Sequence, residues 1–187
     1  MSTVVKVASF VGFLRLFSTV LVPLDSFWTP VLLTVVVITL FVGNISALLQ
    51  SSFKRMMAYS SISHAGYMLF AIVAIGASSA ASIFIYATAY SLASVIAFGA
   101  LILVKRKTGS DQFESFNGLA KKDPWLAFVL TIAMLSLAGI PLTAGFIGKF
   151  MMFNNVMEGY NVMLLVLAAI NAAIAVYYYL HVVVCMY

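Results

Sequence analysis

Lys149 is the residue of this sequence that most directly suggests proton chemistry. It lies inside an apolar stretch, two helical turns past Pro141. A charged side chain at the centre of a membrane helix costs roughly 2.5–3.5 kcal/mol, so such a lysine usually faces protein or a water-filled cavity. Desolvation there favours the neutral amine, which allows the lysine to take up and release a proton. The alternative is a lysine that snorkels to the membrane surface, because few apolar residues separate it from Asn154.

A histidine with three hydroxyl side chains forms a second polar group. Ser60, Ser63, His64 and Tyr67 follow i, i+3, i+4, i+7 spacing, and Tyr59 lies beside them. This spacing places the four residues on one face of a helix. At 1.5 Å per residue, His64 lies about 12 Å below the membrane surface. Two interpretations stay open: a hydrated proton relay, which the row of hydroxyls favours slightly, and interhelical hydrogen bonding.

The first apolar segment contains two further cations, Lys6 and Arg15. Arg15 is near the middle of the segment by count, and no Asp or Glu lies at that depth. An arginine there needs a carboxylate or backbone carbonyls, so we expect its partner on helices that this chain does not contain. Lys6 is near the surface if its helix begins at Met1, and deeply buried if the helix extends upstream.

One face of the last apolar segment contains Asn171, Tyr178 and His181, at i, i+7, i+10. Side chains of these types commonly form hydrogen bonds between membrane helices. We favour interhelical packing for this face, and the role of His181 stays open.

The composition sets the class of protein to which these residues belong. The chain has 187 residues, of which 64% are hydrophobic and 8% charged, and its mean hydropathy is +1.13. A soluble domain has about a quarter charged residues, so soluble globular classes are excluded. The single cysteine, Cys185, excludes a disulfide framework, an iron–sulfur cluster or a cysteine zinc site built by this chain alone. The net charge of +5 is attributed to membrane topology, not to nucleic-acid binding.

The apolar segments predict an all-α, polytopic membrane protein with about six transmembrane helices. A bilayer span needs about 20 apolar residues. The fifth segment is too long for one span, and Pro141 interrupts it, so we expect a discontinuous helix there. The segments are Ser2–Leu24, Trp28–Gln50, Met56–Ile75, Ala80–Leu103, Pro124–Val156 and Val162–Tyr187.

Lysines and arginines of the connecting loops lie on one side of this arrangement. Alternation of the helices places both chain ends and two basic loops on the same side, whereas the loops near Asp25, Gly76 and Glu158 have no basic residue. The positive-inside rule puts the basic side, and thus both termini, in the cytoplasm. The basic loop residues are Lys54, Arg55, Lys105, Arg106, Lys107, Lys121 and Lys122.

Three stretches have a familiar pattern. They are Lys54–Tyr67 (KRMMAYSSISHAGY), Leu137–Phe150 (LAGIPLTAGFIGKF) and the opening Met1–Ala8. Together they resemble the N-subunit family of the bacterial NADH–quinone oxidoreductase, respiratory complex I, which is one of its antiporter-like subunits. The resemblance runs over essentially the whole chain. The broken-helix motif alone is also similar to sister subunits and to Mrp-type cation/proton antiporters.

Domain organisation follows from the resemblance, because the family has two inverted five-helix repeats. The chain is then a single membrane domain, 1–187, in which 1–24 is the last helix of the first repeat and 28–187 is the complete second repeat. The resemblance further implies that Met1 is an internal methionine and that the chain is a fragment from the C-terminal part. The glutamate–lysine pair of the first repeat has no counterpart here, and His181 stands where relatives often have arginine.

The resemblance implies a proton-translocating membrane-arm subunit that couples quinone reduction elsewhere in the complex to proton transfer. Lys149, His64 and Lys6 would transfer protons, with Pro141, Tyr59 and Arg15 in support. The chain would be a non-redox subunit of the translocase that binds no cofactor or metal, with NADH, FMN, iron–sulfur clusters and quinone on partner subunits.

The expected partners are other membrane-arm subunits and lipid, with no nucleic acid, and the expected location is the bacterial inner membrane. The alternative is an Mrp-type cation/proton antiporter subunit, and an inert membrane scaffold is a further rival.

Overall fold

The computed structural model describes residues 4–73, 79–157 and 162–187, and these residues form helices joined by short connections. The prediction of an all-α, polytopic membrane protein is confirmed. Short 3-10 helices occupy Val22–Leu24 and Phe113–Phe116. The α-helices are α1 (Val4–Thr19), α2 (Asp25–Leu48), α3 (Phe53–Val73), α4 (Ser79–Thr108), α5 (Leu119–Lys122), α6 (Pro124–Ala138), α7 (Ala144–Met157) and α8 (Val162–Met186).

Four helical stretches in the described part of the chain are long and apolar enough to cross a membrane: Val22–Leu48, Phe53–Val73, Ser79–Thr108 and Val162–Met186. The first predicted segment is shorter as a helix, because α1 ends at Thr19 and a 3-10 turn with proline follows. Helix α4 extends beyond the predicted end at Leu103 to Thr108. Its last turn contains three basic residues, which are favourable at the negative end of a helix dipole.

The fifth predicted segment is interrupted as expected. Helix α6 ends at Ala138 and α7 begins at Ala144, so the break at Pro141 is confirmed. Gly139 has φ of +80°, and the Ile140 amide donates to the Leu135 carbonyl at 3.1 Å, which closes α6 with a left-handed glycine cap.

Helix α3 packs against α1, α2, α4 and α7. Its contact with α2 is close enough that a Cβ on Gly43 would lie 2.6 Å from the Ser63 backbone nitrogen. Small residues of this kind allow membrane helices to approach backbone to backbone. Helix α8 packs against α2 and α6, so the polar face of α3 is enclosed by other helices.

The two basic loops and the end of α8 meet at one end of the bundle, which we call the basic end. The Phe53 amide donates to the Asp111 carbonyl at 2.9 Å, and the Gly118 amide donates to the Cys185 carbonyl at 3.2 Å. This arrangement agrees with the alternation predicted from the sequence. Met1 and the loop positions Gly76 and Glu158 lie outside the described residues, and the orientation in the membrane stays a prediction.

Candidate proton-transfer site

The helix break places Lys149 against the end of α6. The Lys149 side chain is 4% exposed, and its Nζ donates to the carbonyls of Ala138 at 2.9 Å and Leu137 at 3.2 Å. The last carbonyls of a helix have no partner within it and have partial negative charge. The break therefore creates the acceptors that hold the amine, and the side chain points back towards α6 instead of snorkelling to the surface.

Two further residues shape the position of the Lys149 amine. Its Nζ lies 5.0 Å from the centroid of the Tyr67 ring, which is within the range of a cation–π interaction. A Cβ on Gly139 would lie 2.8 Å from Lys149 Cδ and 3.1 Å from Nζ. Glycine at position 139 therefore allows the positive φ of the turn and also leaves room for the Lys149 side chain.

His64 is enclosed by tyrosines from two other helices. Its ring is 3% exposed, Nδ1 lies 2.6 Å from the Tyr86 hydroxyl, and Nε2 lies 3.0 Å from the Tyr179 hydroxyl. The Tyr179 hydroxyl also hydrogen-bonds the Ser60 hydroxyl. In a neutral imidazole one nitrogen donates and the other accepts. A hydrogen-bonded row therefore runs from α4 through α3 to α8, and reversing every donor in it exchanges the two tautomers of His64.

Aromatic rings fill the space between His64 and Lys149. The rings of Tyr86 and Tyr67 have centroids 6.3 Å apart, and Tyr90 packs against His64 at 4.6 Å. The Tyr67 hydroxyl donates to the Ala168 carbonyl at 3.1 Å. Among the described residues, His64 and Lys149 thus belong to two separate hydrogen-bonded groups. The packed rings of Tyr86 and Tyr67 lie between these groups.

Lys6 lies against the same helix as His64. Its Nζ donates to the carbonyl of Ser61 at 2.8 Å and to the Ser61 hydroxyl at 2.9 Å. Ser61 lies eight residues after the start of α3 at Phe53, which is about 12 Å along the helix. The half-buried Lys6 thus contacts α3 about one helical turn before His64, and its depth in the membrane stays a prediction.

The residues expected to support the site are exposed. Tyr59 is 36% exposed, and Arg15 and Pro141 are exposed as well. Arg15 is four residues before the end of α1, not near the middle of its helix. Pro141 lies within the break itself, which is how it affects Lys149.

The polar face of α8 divides into two parts. Asn44 Nδ2 donates to Asn171 Oδ1 at 3.1 Å, and the Tyr178 hydroxyl donates to Asn44 Oδ1 at 3.0 Å. These bonds confirm interhelical packing for Asn171 and Tyr178. His181 is exposed at the basic end, where its ring packs against Phe113 at 5.3 Å.

Sequence reasoning missed Tyr86, Tyr90, Tyr179 and Gly139 as parts of the site. A usable signal was present for two of them, because Tyr86 and Tyr90 are four residues apart in an apolar segment and therefore share one helix face. No local pattern indicates Tyr179, which is 115 residues from His64.

Comparison with known proteins decides the family. The sequence model of the family described as NADH:quinone oxidoreductase/Mrp antiporter, TM, matches residues 1–175. The chain belongs to this family. The resemblance to the antiporter-like subunits, which was based on short motifs, is therefore confirmed over nearly the whole length of this family member.

Curated relatives include several N subunits. The NADH-quinone oxidoreductase subunit N of Cytophaga hutchinsonii is 39% identical over 187 residues, which are 100% of this chain and 41% of the relative. The subunit N of Trichlorobacter lovleyi is also 39% identical, and the match covers 100% of this chain and 39% of that relative. The family member described here thus spans about two fifths of the length of these relatives.

Solved structures share the fold. Respiratory complex I from Thermus thermophilus with bound Aureothin contains a chain with a TM-score of 0.75 and 37% identity, covering 84% of this chain and 36% of that chain. The Mrp complex from Dietzia sp. contains one with a TM-score of 0.87 and 20% identity, covering 95% of this chain and 33% of that chain. The second likeness shows the fold alone.

Proposed function

We propose that this chain translocates protons as part of the membrane arm of an NADH–quinone oxidoreductase, which would be located in a bacterial inner membrane. One observation carries the proposal: the buried Lys149 amine, held by two backbone carbonyls and the Tyr67 ring at a helix break. A broken helix that presents a polar group inside the membrane is a transporter design. The 39% identity to N subunits supports the assignment to this complex.

The mechanism follows from the three groups in the bundle. Lys149 holds a proton at the negative end of α6, His64 passes protons between Tyr86 and Tyr179 by exchanging tautomers, and Lys6 holds a proton at Ser61. Two unit charges about 10 Å apart at an effective dielectric of about 20 repel by roughly 1.7 kcal/mol. Arrival of a proton at one lysine therefore promotes release from the next.

The energy for pumping has to come from other subunits. Moving one charge against about 150 mV costs roughly 3.5 kcal/mol. In this proposal NADH, FMN, iron–sulfur clusters and quinone are bound by partner subunits, and this chain is a non-redox part of the enzyme. Its own residues bind, hold and release protons.

The proposed partners are other membrane-arm subunits together with lipid. Arg15 and the apolar side chains Val11, Phe13 and Leu16 of α1 are exposed within the described part of the chain. In the proposed arrangement α1 is the last helix of the first repeat and 28–187 is the second repeat. Helices of the first repeat would then cover these residues and supply a carboxylate or carbonyls to Arg15.

Substitution of Lys149 tests the proposal in assembled membranes. Lys149→Ala removes the proton-binding amine and is expected to cut NADH-driven proton translocation strongly. Lys149→Arg keeps the charge but holds its proton in proteins, so it is expected to resemble the alanine variant. The matched control is Lys121→Ala, which removes an exposed lysine at the basic end and is expected to pump normally. Near-normal pumping by Lys149→Arg would contradict the proposal that Lys149 takes up and releases a proton.

An Mrp-type cation/proton antiporter subunit is the second candidate, because the fold is shared with the Mrp complex of Dietzia sp.. The two functions differ in their dependence on a second cation. Proton translocation that is unchanged when sodium and potassium are replaced by an impermeant cation supports the first proposal. Translocation that requires either ion supports the second.

A further inference from the structure

We propose that two adjoining cavities at the basic end form a water-filled path for proton uptake that leads past His181 to the hydrogen-bonded row at His64. This inference rests on the proposed function, and it concerns the side from which protons reach that row. The cavities have volumes of about 280 and 140 Å³. The larger is called the outer cavity here and the smaller the inner cavity.

The outer cavity lies between the 3-10 helix Phe113–Phe116 and the end of α8. Glu114, Asn117, His181 and Cys185 are among the residues that line it. Glu114 is exposed, so its carboxylate is available to protons from solvent. His181 lines the same cavity as Glu114. The outer cavity can therefore collect protons at His181.

His181 separates the two cavities. It lines both of them together with Phe113, whose ring packs against the imidazole at an interplanar angle of 88°. A histidine is the side chain that most readily exchanges protons near neutral pH. At this position it can accept a proton on the outer side and release it on the inner side.

The inner cavity lies between the end of α2 and α8, where the buried Ala47 and Tyr178 line it together with the exposed Leu48 and Tyr177. Gln50 and Tyr178 line it in addition to His181, and these supply hydrogen-bonding partners for water. A buried water needs only about 10–15 Å³ of such a volume and two to four polar partners. The cavity of about 140 Å³ therefore has room for several water molecules.

Tyr178 connects the inner cavity with the row at His64. Its hydroxyl donates to Asn44 Oδ1 at 3.0 Å. Its ring lies 4.6 Å from that of Tyr179. The Tyr179 hydroxyl bonds both Ser60 and His64.

The titratable groups that line the two cavities together with His181 are few. They are Glu114 from the 3-10 helix and Tyr177, Tyr178 and Cys185 from α8 itself. The wall contributed by the end of α2 and the following loop has Ala47, Leu48, Gln50 and Ser51, which are not charged. Glu114 is thus the acidic group of the cavity lining, and His181 is the group next to it on the way inward.

Thiol labelling tests whether water fills the inner cavity. In a Cys185→Ser background, Ala47→Cys places a thiol in the inner cavity, and Ala97→Cys places one in the core of α4. Both alanines are buried, at 1% and 0% exposure, so burial alone predicts equal labelling. Because only a thiolate in contact with water reacts with a small methanethiosulfonate reagent, we expect Ala47→Cys to react at least about tenfold faster from the basic end. Equal rates would overturn the proposal.

Chemical rescue tests whether His181 conducts protons. His181→Ala is expected to slow proton translocation in the assembled complex, and added imidazole is expected to restore it. Pyrazole, a ring of the same size that stays unprotonated at neutral pH, is expected not to. Normal translocation by His181→Ala, or a loss that imidazole does not restore, would overturn the path. If Lys149→Ala also translocates protons normally, the proposed function itself fails; if only His181→Ala does, the failure is confined to this path.

Discussion

Substitution of Gly139 by alanine tests whether proton translocation depends on the position of the Lys149 amine, because it moves the amine without removing it. A Cβ at position 139 would lie 2.8 Å from Lys149 Cδ and 3.1 Å from Nζ, so the lysine side chain has to move. The amine itself stays in the protein. Gly109 provides the matched control, because it has φ of +77° and open space where its Cβ would be.

The expected magnitudes follow from these two geometries. An alanine in the left-handed conformation costs about 1–2 kcal/mol, and this loss of folding stability applies to both variants. Only Gly139→Ala also displaces the amine from the carbonyls at 2.9 and 3.2 Å. Loss of one hydrogen bond to a charged group costs about 1.5–3 kcal/mol. Since 1.4 kcal/mol corresponds to a factor of ten, occupancy of the amine position should fall about tenfold or more.

Membrane vesicles with assembled complex allow the comparison. NADH-driven proton translocation is measured beside the amount of subunit present in the membrane, so that assembly and pumping are scored separately. Gly139→Ala is expected to pump about tenfold more slowly per assembled complex than Gly109→Ala. If the two variants assemble and pump equally well, the contact between Lys149 and the end of α6 has no role in translocation and the reasoning is refuted.

Three further predictions concern other parts of the molecule. Reporter fusions after Ser26 and Arg106 are expected to give periplasmic and cytoplasmic signals respectively, because basic loop residues stay in the cytoplasm; a periplasmic signal at Arg106 contradicts this orientation. His64→Ala is expected to lower pumping more than assembly, as quantified by vesicle assays and immunoblots, whereas equal losses would indicate a packing role. Asn171→Leu removes the side-chain oxygen that accepts from Asn44 Nδ2 and leaves the backbone carbonyl of residue 171, which also accepts from it at 3.2 Å. It is expected to lower the free energy of unfolding by about 0.5–1.5 kcal/mol without changing pumping per assembled subunit; a selective pumping defect would contradict this.

Most helix positions could be predicted from the sequence, because apolar runs of membrane length admit only helices. Helix α6 begins at Pro124, as predicted, and α8 (Val162–Met186) lies within the last predicted segment. The ends that differed depend on local effects that hydropathy does not report. The Pro23 turn shortens α1, and the basic residues after Leu103 continue α4 instead of ending it.

Part of the candidate site was predictable for the same reason. Lys149 and Pro141 are conspicuous, because a cation and a helix breaker are both rare in apolar segments. The acceptors of the lysine were not predictable, because they are backbone carbonyls and every residue has one. Only the fold of α7 back onto α6 shows that Leu137 and Ala138 supply them.

The polar face of α3 shows why the partners of His64 could not be read from its own helix. Residues at i, i+3 and i+4 lie on one face, but their side chains project outward side by side, so a buried face meets its partners on other helices. His64 accordingly bonds Tyr86 on α4 and Tyr179 on α8, which are 22 and 115 residues away. A buried polar face therefore requires a second polar face opposite to it. Tyr86 and Tyr90 on α4 are four residues apart, so they lie on one helix face and can form this second polar face.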